Sequence, residues 1–285
     1  MAEAAELHAS QVDYWNGLGG SRWVAQQARR DAMLGDFAKM ALVRAAAQSG
    51  DHVIDVGCGC GETSLELARH VGPNGEVLAA DVSAAVLARA KERLADLPWA
   101  RTVQLDASTY AFNEGETDLL FSRFGVMFFG DPVGAFANLR RSLKPDGRLV
   151  FACWRDPAEN PWMTGSLGAV FRHLPRPEVD RNQPGPFAFA DPDRVTGILK
   201  HAGFSPPQFE KVDAAIDVAQ GAGLDGAVDS AMEFGMTARA LEGQSESVLQ
   251  AVKGSLYEHF APMVDAGAVK LQAAIWIVSS SASMA

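Results

Sequence analysis

Cysteine is scarce in this chain of 285 residues, which has only Cys58, Cys60 and Cys153. Cys58 and Cys60 stand too close together to form an ordinary disulfide without severe strain. No second pair stands at zinc spacing, so the cysteines give neither a disulfide scaffold nor a metal site. Reduced thiols fit a cytoplasmic protein. Basic charge is also in short supply, with 25 Lys and Arg against 35 Asp and Glu and a net charge of −10. That balance argues against a broad polyanion-binding surface, because phosphate neutralisation needs clustered Lys and Arg. It disfavours nucleic acid as a partner. No apolar run approaches the roughly 20 residues of a membrane span. The opening MAEAAELHAS carries early acids and no apolar core, unlike a secretory signal. A hydrophobic fraction of 48% with 21% charged residues is that of a globular enzyme.

The informative stretch is Val53 to Gly61, VIDVGCGCG. An apolar, β-branched run carrying Asp55 breaks into Gly57, Gly59 and Gly61, and a helical pattern follows through Leu65, Leu67, Ala68 and Val71. Strand, glycine turn and helix together let backbone approach a ligand with no Cβ in the way. A dinucleotide fingerprint wants Gly or Ala where this chain has Glu62. The spacing therefore turns away from a nicotinamide-dependent oxidoreductase.

Strands and helices alternate around this turn. Strands are expected at His52–Val56, Glu76–Ala80, Thr102–Leu105, Asp118–Ser122 and Arg148–Trp154, with KPDG turning into the fifth. Ser83 is placed to cap the helix after the second strand. Short connections between such elements imply a doubly wound, mostly parallel sheet. A helical leader fills residues 1–50, interrupted by the aromatic, glycine-containing DYWNGLGGSRW. The core occupies 51–155. Insertions at 156–192 and 219–270 are read as lid or substrate-shaping elements. The first is expected to hold one short helix around Thr164–His173. A helix at Pro192–Ala202 and strands near Gln208–Val218 and Gln272–Ser279 complete a single domain over 1–285.

Ligands of open α/β sheets bind outside the carboxyl ends of the strands. Here each such end carries a suitable group: Asp55 and Gly57, then Asp81, Asp106 and Ser122. Asp81 follows the turn at about the 20-residue interval expected of a ribose-binding acid, and a carboxylate can accept both hydrogen bonds of a ribose diol. Asp106 could accept from an exocyclic amine while the Ala107 amide meets a ring nitrogen.

Together VIDVGCGCGETSLELA, LAADVS, LDAS and DLLFSRFGVMFFGDPVGAFANLRRSLKPDGRLV resemble the class I S-adenosylmethionine (SAM)-dependent methyltransferases. Among these the chain is similar to the ubiquinone/menaquinone-biosynthesis type. The resemblance implies a Rossmann-like seven-stranded α/β fold, SAM as cofactor and S-adenosylhomocysteine as product. It implies that the backbone of Gly57, Cys58 and Gly59 holds the methionine portion, with Asp55 bonding nearby. Asp81 would hold the ribose, and Val82 would pack on the adenine. Asp106 and Ala107 would bond the base edge, and the Ser122 carbonyl would receive the methionine ammonium. FSRFGVMFF departs from the histidine-bearing stretch common in quinone-type members.

The expected activity is methyl transfer to O, N or C of a small-molecule acceptor. Methylation of a protein or RNA and a non-catalytic SAM-binding regulatory module stand as alternatives. Ser122-Arg123-Phe124-Gly125 lacks the Asn/Asp-Pro-Pro-aromatic pattern of the adenine-methylating DNA enzymes, and Asn160-Pro161-Trp162 reads as a turn. Tyr14, Trp15 and Trp23 could close over the cofactor by cation–π attraction or serve as packing. Arg123 could bind an acceptor carboxylate or phosphate, or form an ordinary salt bridge. No catalytic base stands out: His201 reads as structural or exposed, His173 and His259 lie in the insertions, and His8 lies in the leader.

Overall fold

The structure is a computed structural model that describes residues 2–178 and 180–282. It opens with three helices, α1 (Ala2–Asn16), α2 (Leu18–Ala25) and α3 (Gln27–Ala45). The expected interruption of the leader narrows to Gly17, between α1 and α2. Gly19 and Gly20 lie inside α2 and are buried. A Cβ at Gly19 would fall 2.4 Å from the Tyr14 ring, and one at Gly20 would fall 2.2 Å from the Trp15 carbonyl oxygen. These two glycines therefore let α1 and α2 approach closely and make no turn. α3 buries Leu34, Phe37, Ala38, Ala41 and Ala45 along one stripe. The Phe37 ring meets Trp154 edge-on at 5.8 Å.

The core then alternates as β1 (His52–Val56), α4 (Glu62–Val71), β2 (Glu76–Asp81), α5 (Ala84–Arg93) and β3 (Ala100–Gln104). It continues through β4 (Thr117–Arg123), α6 (Pro132–Ser142) and β5 (Leu143–Trp154). Beyond it come α7 (Pro161–Thr164), α8 (Leu167–Val170), α9 (Pro192–His201) and β6 (Gln208–Asp217). The chain closes with α10 (Gly223–Glu233), α11 (Gly235–Ala240), α12 (Glu246–Phe260) and β7 (Lys270–Ser281). One seven-stranded sheet runs in the order β3-β2-β1-β4-β5-β7-β6, and its first five strands pair in parallel. Buried Phe121, Phe136 and Phe151, with leucines from both faces, fill the space around its centre.

Three local expectations are revised. The fifth strand begins at Leu143, ahead of KPDG, and its register against β4 shifts between Thr117 and Leu119. The single short helix expected at 164–173 is two, α7 and α8. Ser83 stands at the N-cap of α5, but its buried hydroxyl makes no capping bond and has no partner among the described residues.

The chain divides into two compact units. One comprises Met1–Trp154, Arg181–Lys211 and Trp276–Ala285, and the other Arg155–Asp180 and Val212–Ile275. The second unit is held by its own polar contacts. Buried Asn160 donates to the carbonyls of Arg155, Asp156 and Ala274, and its side-chain oxygen accepts from the Ala274 amide at 2.9 Å. Asn160 thus fastens the chain at the start of α7; Asn160-Pro161-Trp162, expected as a turn, is the N-cap and first residues of that helix.

Candidate active site

Strand order reverses between β1 and β4, the topological switch point at which open α/β sheets bind ligands. Two turns meet there. Gly57, Gly59 and Gly61 all take left-handed φ, of 67°, 56° and 79°. A Cβ at Gly57 would lie 2.8 Å from the Cα of Gly125, in the turn after β4. The amides of Gly57 and Cys58 donate to the Ala80 carbonyl at 2.8 and 3.1 Å, and the Gly59 amide donates to Asp81 Oδ2 at 2.9 Å. These amides are satisfied within the protein, so the turn presents bare Cα faces to the cavity in place of a nest of donors.

Asp55 sits beneath the turn, fully buried. Its Oδ2 accepts from Thr63 Oγ1 at 2.8 Å and Ser64 Oγ at 2.6 Å, in the first turn of α4. Burial raises its pKa to about 6, against the pull of those two hydroxyls. Burial also raises the thiols, Cys58 well above its ordinary value and Cys60 to about 11. Both are held neutral and fit a packing role. The described residues contain no cluster of His, Cys, Asp and Glu that could hold a metal ion.

Above the turn lies a cavity with about 110 Å³ of water-accessible space, several times the 10–15 Å³ or so that one water needs. Asp81, Val82 and Val86 line it after β2, and Leu105, Asp106 and Ala107 after β3. Arg123, Phe124, Gly125, Phe128 and Phe129 line it after β4. The leader supplies His8, Gln11, Val12, Trp15 and Trp23. Trp15 meets Trp23 and Phe128 edge-on at 5.7 and 5.3 Å, and the Arg30 guanidinium covers the Trp23 ring at 4.0 Å.

The two strand-end acids differ in electrostatics. Asp81 is raised by burial despite backbone bonds from Ser83 and Gly59. Burial pulls Asp106 the same way but is outweighed by the hydroxyl and amide of Ser108 and by His8, so its net shift is downward. His8 Nε2 donates to Asp106 Oδ2 at 2.7 Å. Arg123 makes a close ion pair with Glu62, the first residue of α4, and both side chains are largely buried. Phe124 holds a left-handed φ of 63° and stacks on Trp154 at 4.2 Å. Since non-glycine residues adopt this conformation at a cost, the stacked ring anchors the turn that aims Arg123.

Of the residues singled out by sequence, Gly57, Gly59, Asp81, Val82, Asp106, Ala107, Trp15, Trp23 and Arg123 line this one cavity. Asp55, Cys58, Ser122 and Tyr14 do not. Ser122 Oγ donates to the Val56 carbonyl and accepts from the Gly125 amide, tying the two turns together. Tyr14 packs on α2 at Gly19. Sequence reasoning passed over Gln11 and set His8 aside. Their spacing with Trp15 along one helical face was the available signal. It also missed Thr63 and Ser64, a hydroxyl pair in the helix turn that follows a buried acid.

Residues 53–147 match the methyltransferase domain family. Over this part of its length the chain is similar to methyltransferases. The chain is 33% identical over 133 residues to a malonyl-[acyl-carrier protein] O-methyltransferase of Magnetococcus marinus. That match covers 46% of the chain and spans about half (49%) of the relative. It is 26% identical to the ubiquinone/menaquinone biosynthesis C-methyltransferase UbiE of Stutzerimonas stutzeri, over 60% of this chain and 71% of that one. Its fold matches a putative methyltransferase from Bacillus halodurans with a TM-score of 0.57 at 18% identity, covering 86% and 98% of the two chains.

The lining of the cavity suits the chemistry of S-adenosylmethionine, the cofactor implied by the sequence resemblance. Glycine Cα faces leave room beside the turn. Two carboxylates offer acceptors to hydroxyl and amino donors, Val82, Val86 and Leu105 provide apolar walls for a base, and aromatic rings suit a sulfonium.

Proposed function

We propose that the protein transfers the methyl group of SAM to O, N or C of a small-molecule acceptor, and that it does so in the cytoplasm. The observation that carries this reading is one continuous cavity, with carboxylates at the ends of β2 and β3 and aromatic residues with Arg123 beyond the end of β4. The names of the relatives, one an O- and one a C-methyltransferase, support methyl transfer and leave the acceptor atom open. A net charge of −10 weighs against nucleic acid as the acceptor. Three buried, unpaired thiols accord with a reducing compartment. Residues 1–285 are taken as one methyltransferase domain, with 156–192 and 219–270 as substrate-shaping insertions.

In this reading Asp81 accepts from the ribose hydroxyls and Val82 packs on the adenine. Asp106 and the Ala107 amide engage the base edge, and Gly57 to Gly59 with the Ser122 carbonyl flank the methionine portion. Asp55 and Cys58 support the turn from below. SAM supplies an already activated methyl group. The protein's remaining tasks are to align an acceptor in line with it and to exclude water. Trp15, Trp23, Phe124, Phe128 and Phe129 provide the dry wall, and Tyr14 fixes Trp15 from behind at an edge-on contact of 5.4 Å. Arg123 offers a fork to an acidic acceptor, with Glu62 holding it until such a group arrives.

The test is a panel of phenolic, amine, carboxylate and carbon-acid acceptors assayed with methyl-labelled SAM, together with Arg123→Gln. Transfer to an acidic acceptor, with KM raised in the variant and kcat nearly kept, is the expected result. Cofactor binding with no transfer to any acceptor would instead indicate a regulatory SAM-binding module.

A further inference from the structure

Helix α1 lies across the ends of two strands and turns one face into the cavity. At one end His8 bonds Asp106, after β3, and at the other Asn16 Nδ2 donates to the Val82 carbonyl, after β2, at 3.1 Å. His8, Gln11 and Trp15, at successive turns of this face, all line the cavity. His8 is committed to Asp106, and Trp15 is held by Trp23 and Phe128. Gln11 is different. It is only 7% exposed, and its Oε1 is buried with no hydrogen-bond partner among the described residues.

A buried amide oxygen with no donor is rare in native structures and points to a partner that arrives from elsewhere. The protein surrounds it with groups that give it nothing. The site needs a donor, and the place along α1 says which. Gln11 is the next turn after His8, at the Asp106 side of the cavity. There Asp106 Oδ1 already accepts from the amide and hydroxyl of Ser108 at 2.9 and 2.6 Å, and Oδ2 accepts from His8. An oxygen accepts about two hydrogen bonds, so Asp106 has room for one more donor, on Oδ2. An adenine amino group carries two N–H bonds.

We propose that Gln11 is a binding residue whose Oε1 accepts a hydrogen bond from the exocyclic amino group of the cofactor's adenine, sharing that group with Asp106 and making the leader helix part of base recognition. The proposal rests on the reading of this cavity as a SAM site. A neutral amide is suited to the task, since it adds an acceptor without placing a second carboxylate beside Asp106.

The test is calorimetric titration of the full chain and of Gln11→Met with two ligands: S-adenosylhomocysteine, and its hypoxanthine counterpart, which has a carbonyl in place of the amino group. Methionine keeps the length and helix preference of glutamine and removes the acceptor. The wild-type protein should prefer the adenine ligand by roughly tenfold or more. The variant should lose on the order of three- to tenfold in affinity for it while binding the hypoxanthine ligand within about twofold of wild type. Preference for the amino group then shrinks because of the variant. Equal weakening of both ligands would make Gln11 a packing residue and overturn the proposal, as would unchanged affinity for both. A folded wild-type protein that binds neither ligand would overturn the SAM site itself, a result distinct from either of these.

Discussion

Single residues of this site are set by how much water they lose and what replaces it. Asp55 loses all of it and receives two hydroxyl hydrogen bonds on one oxygen, while Oδ1 has no partner among the described residues. Its folded-state pKa of about 6 lies above its ordinary 3.8. The folded protein therefore binds more protons than the unfolded chain between those values. The contribution of Asp55 to stability is full below pH 3.8 and is lost as the pH rises through about 6, a change of about 3 kcal/mol. Asp55→Asn, which keeps an acceptor for Thr63 and Ser64, should flatten this decline in denaturant titrations run from pH 4 to 7. An unchanged slope would place the titration elsewhere. Asp106 runs the other way: held below its ordinary value by Ser108 and His8, it stabilises above pH 3.8 and ceases to do so as the pH falls through its folded pKa. Asp81→Asn should weaken binding of S-adenosylhomocysteine by about 1–3 kcal/mol, the scale of a lost charge-assisted hydrogen bond. Unchanged affinity would remove Asp81 from the site. At this scale the strand-end acids were legible, because sequence places them after apolar runs. Gln11 and His8 were not, because their meaning lies in a contact with Asp106 made 98 positions along the chain for His8.

At the scale of elements, the glycine turn and the leader behave differently under substitution. Gly57 and Gly72 have the same φ of 67°, yet a Cβ at Gly57 meets the Gly125 backbone at 2.8 Å and one at Gly72 meets nothing within 4 Å. Gly72, with ψ −174°, sits in a region essentially reserved for glycine, so Gly72→Ala should cost the strained backbone alone, on the order of 1–3 kcal/mol. Gly57→Ala should cost that and a backbone clash as well, and should abolish ligand binding. Comparable stability and binding for the two would mean the turns after β1 and β4 are not in contact. Trp15→Ala, at a half-buried residue of α1 that lines the cavity, should impair cofactor binding more than global stability. If binding is kept, Trp15 is packing alone. Strand–turn–helix was readable to within a residue or two, since apolar runs and breakers fix such boundaries locally. The start of β5 was not, because KPDG is a turn by composition, and only pairing with β4 reveals that the strand begins before it. The glycines of α2 misled for a related reason. Glycine also marks close helix approach, and sequence alone does not separate that use from a turn.

For the molecule as a whole, the parallel strand order and its reversal between β1 and β4 place the site before any side chain is considered. The alternation of strands and helices made this core legible. Beyond Arg155, α9, β6 and β7 were legible to within a residue or two, whereas the proline-rich and helical insertions around them were less so, since they carry no repeating pattern that ties them to a sheet. Among the described residues no helix is long and apolar enough to cross a membrane. The central claim is that this cavity binds SAM and its product. The most direct measurement is calorimetric titration of the full chain with S-adenosylhomocysteine, with NAD as the control. The account predicts one-to-one, micromolar binding to the former and none to the latter. A folded protein that binds NAD, or that binds neither, would contradict it.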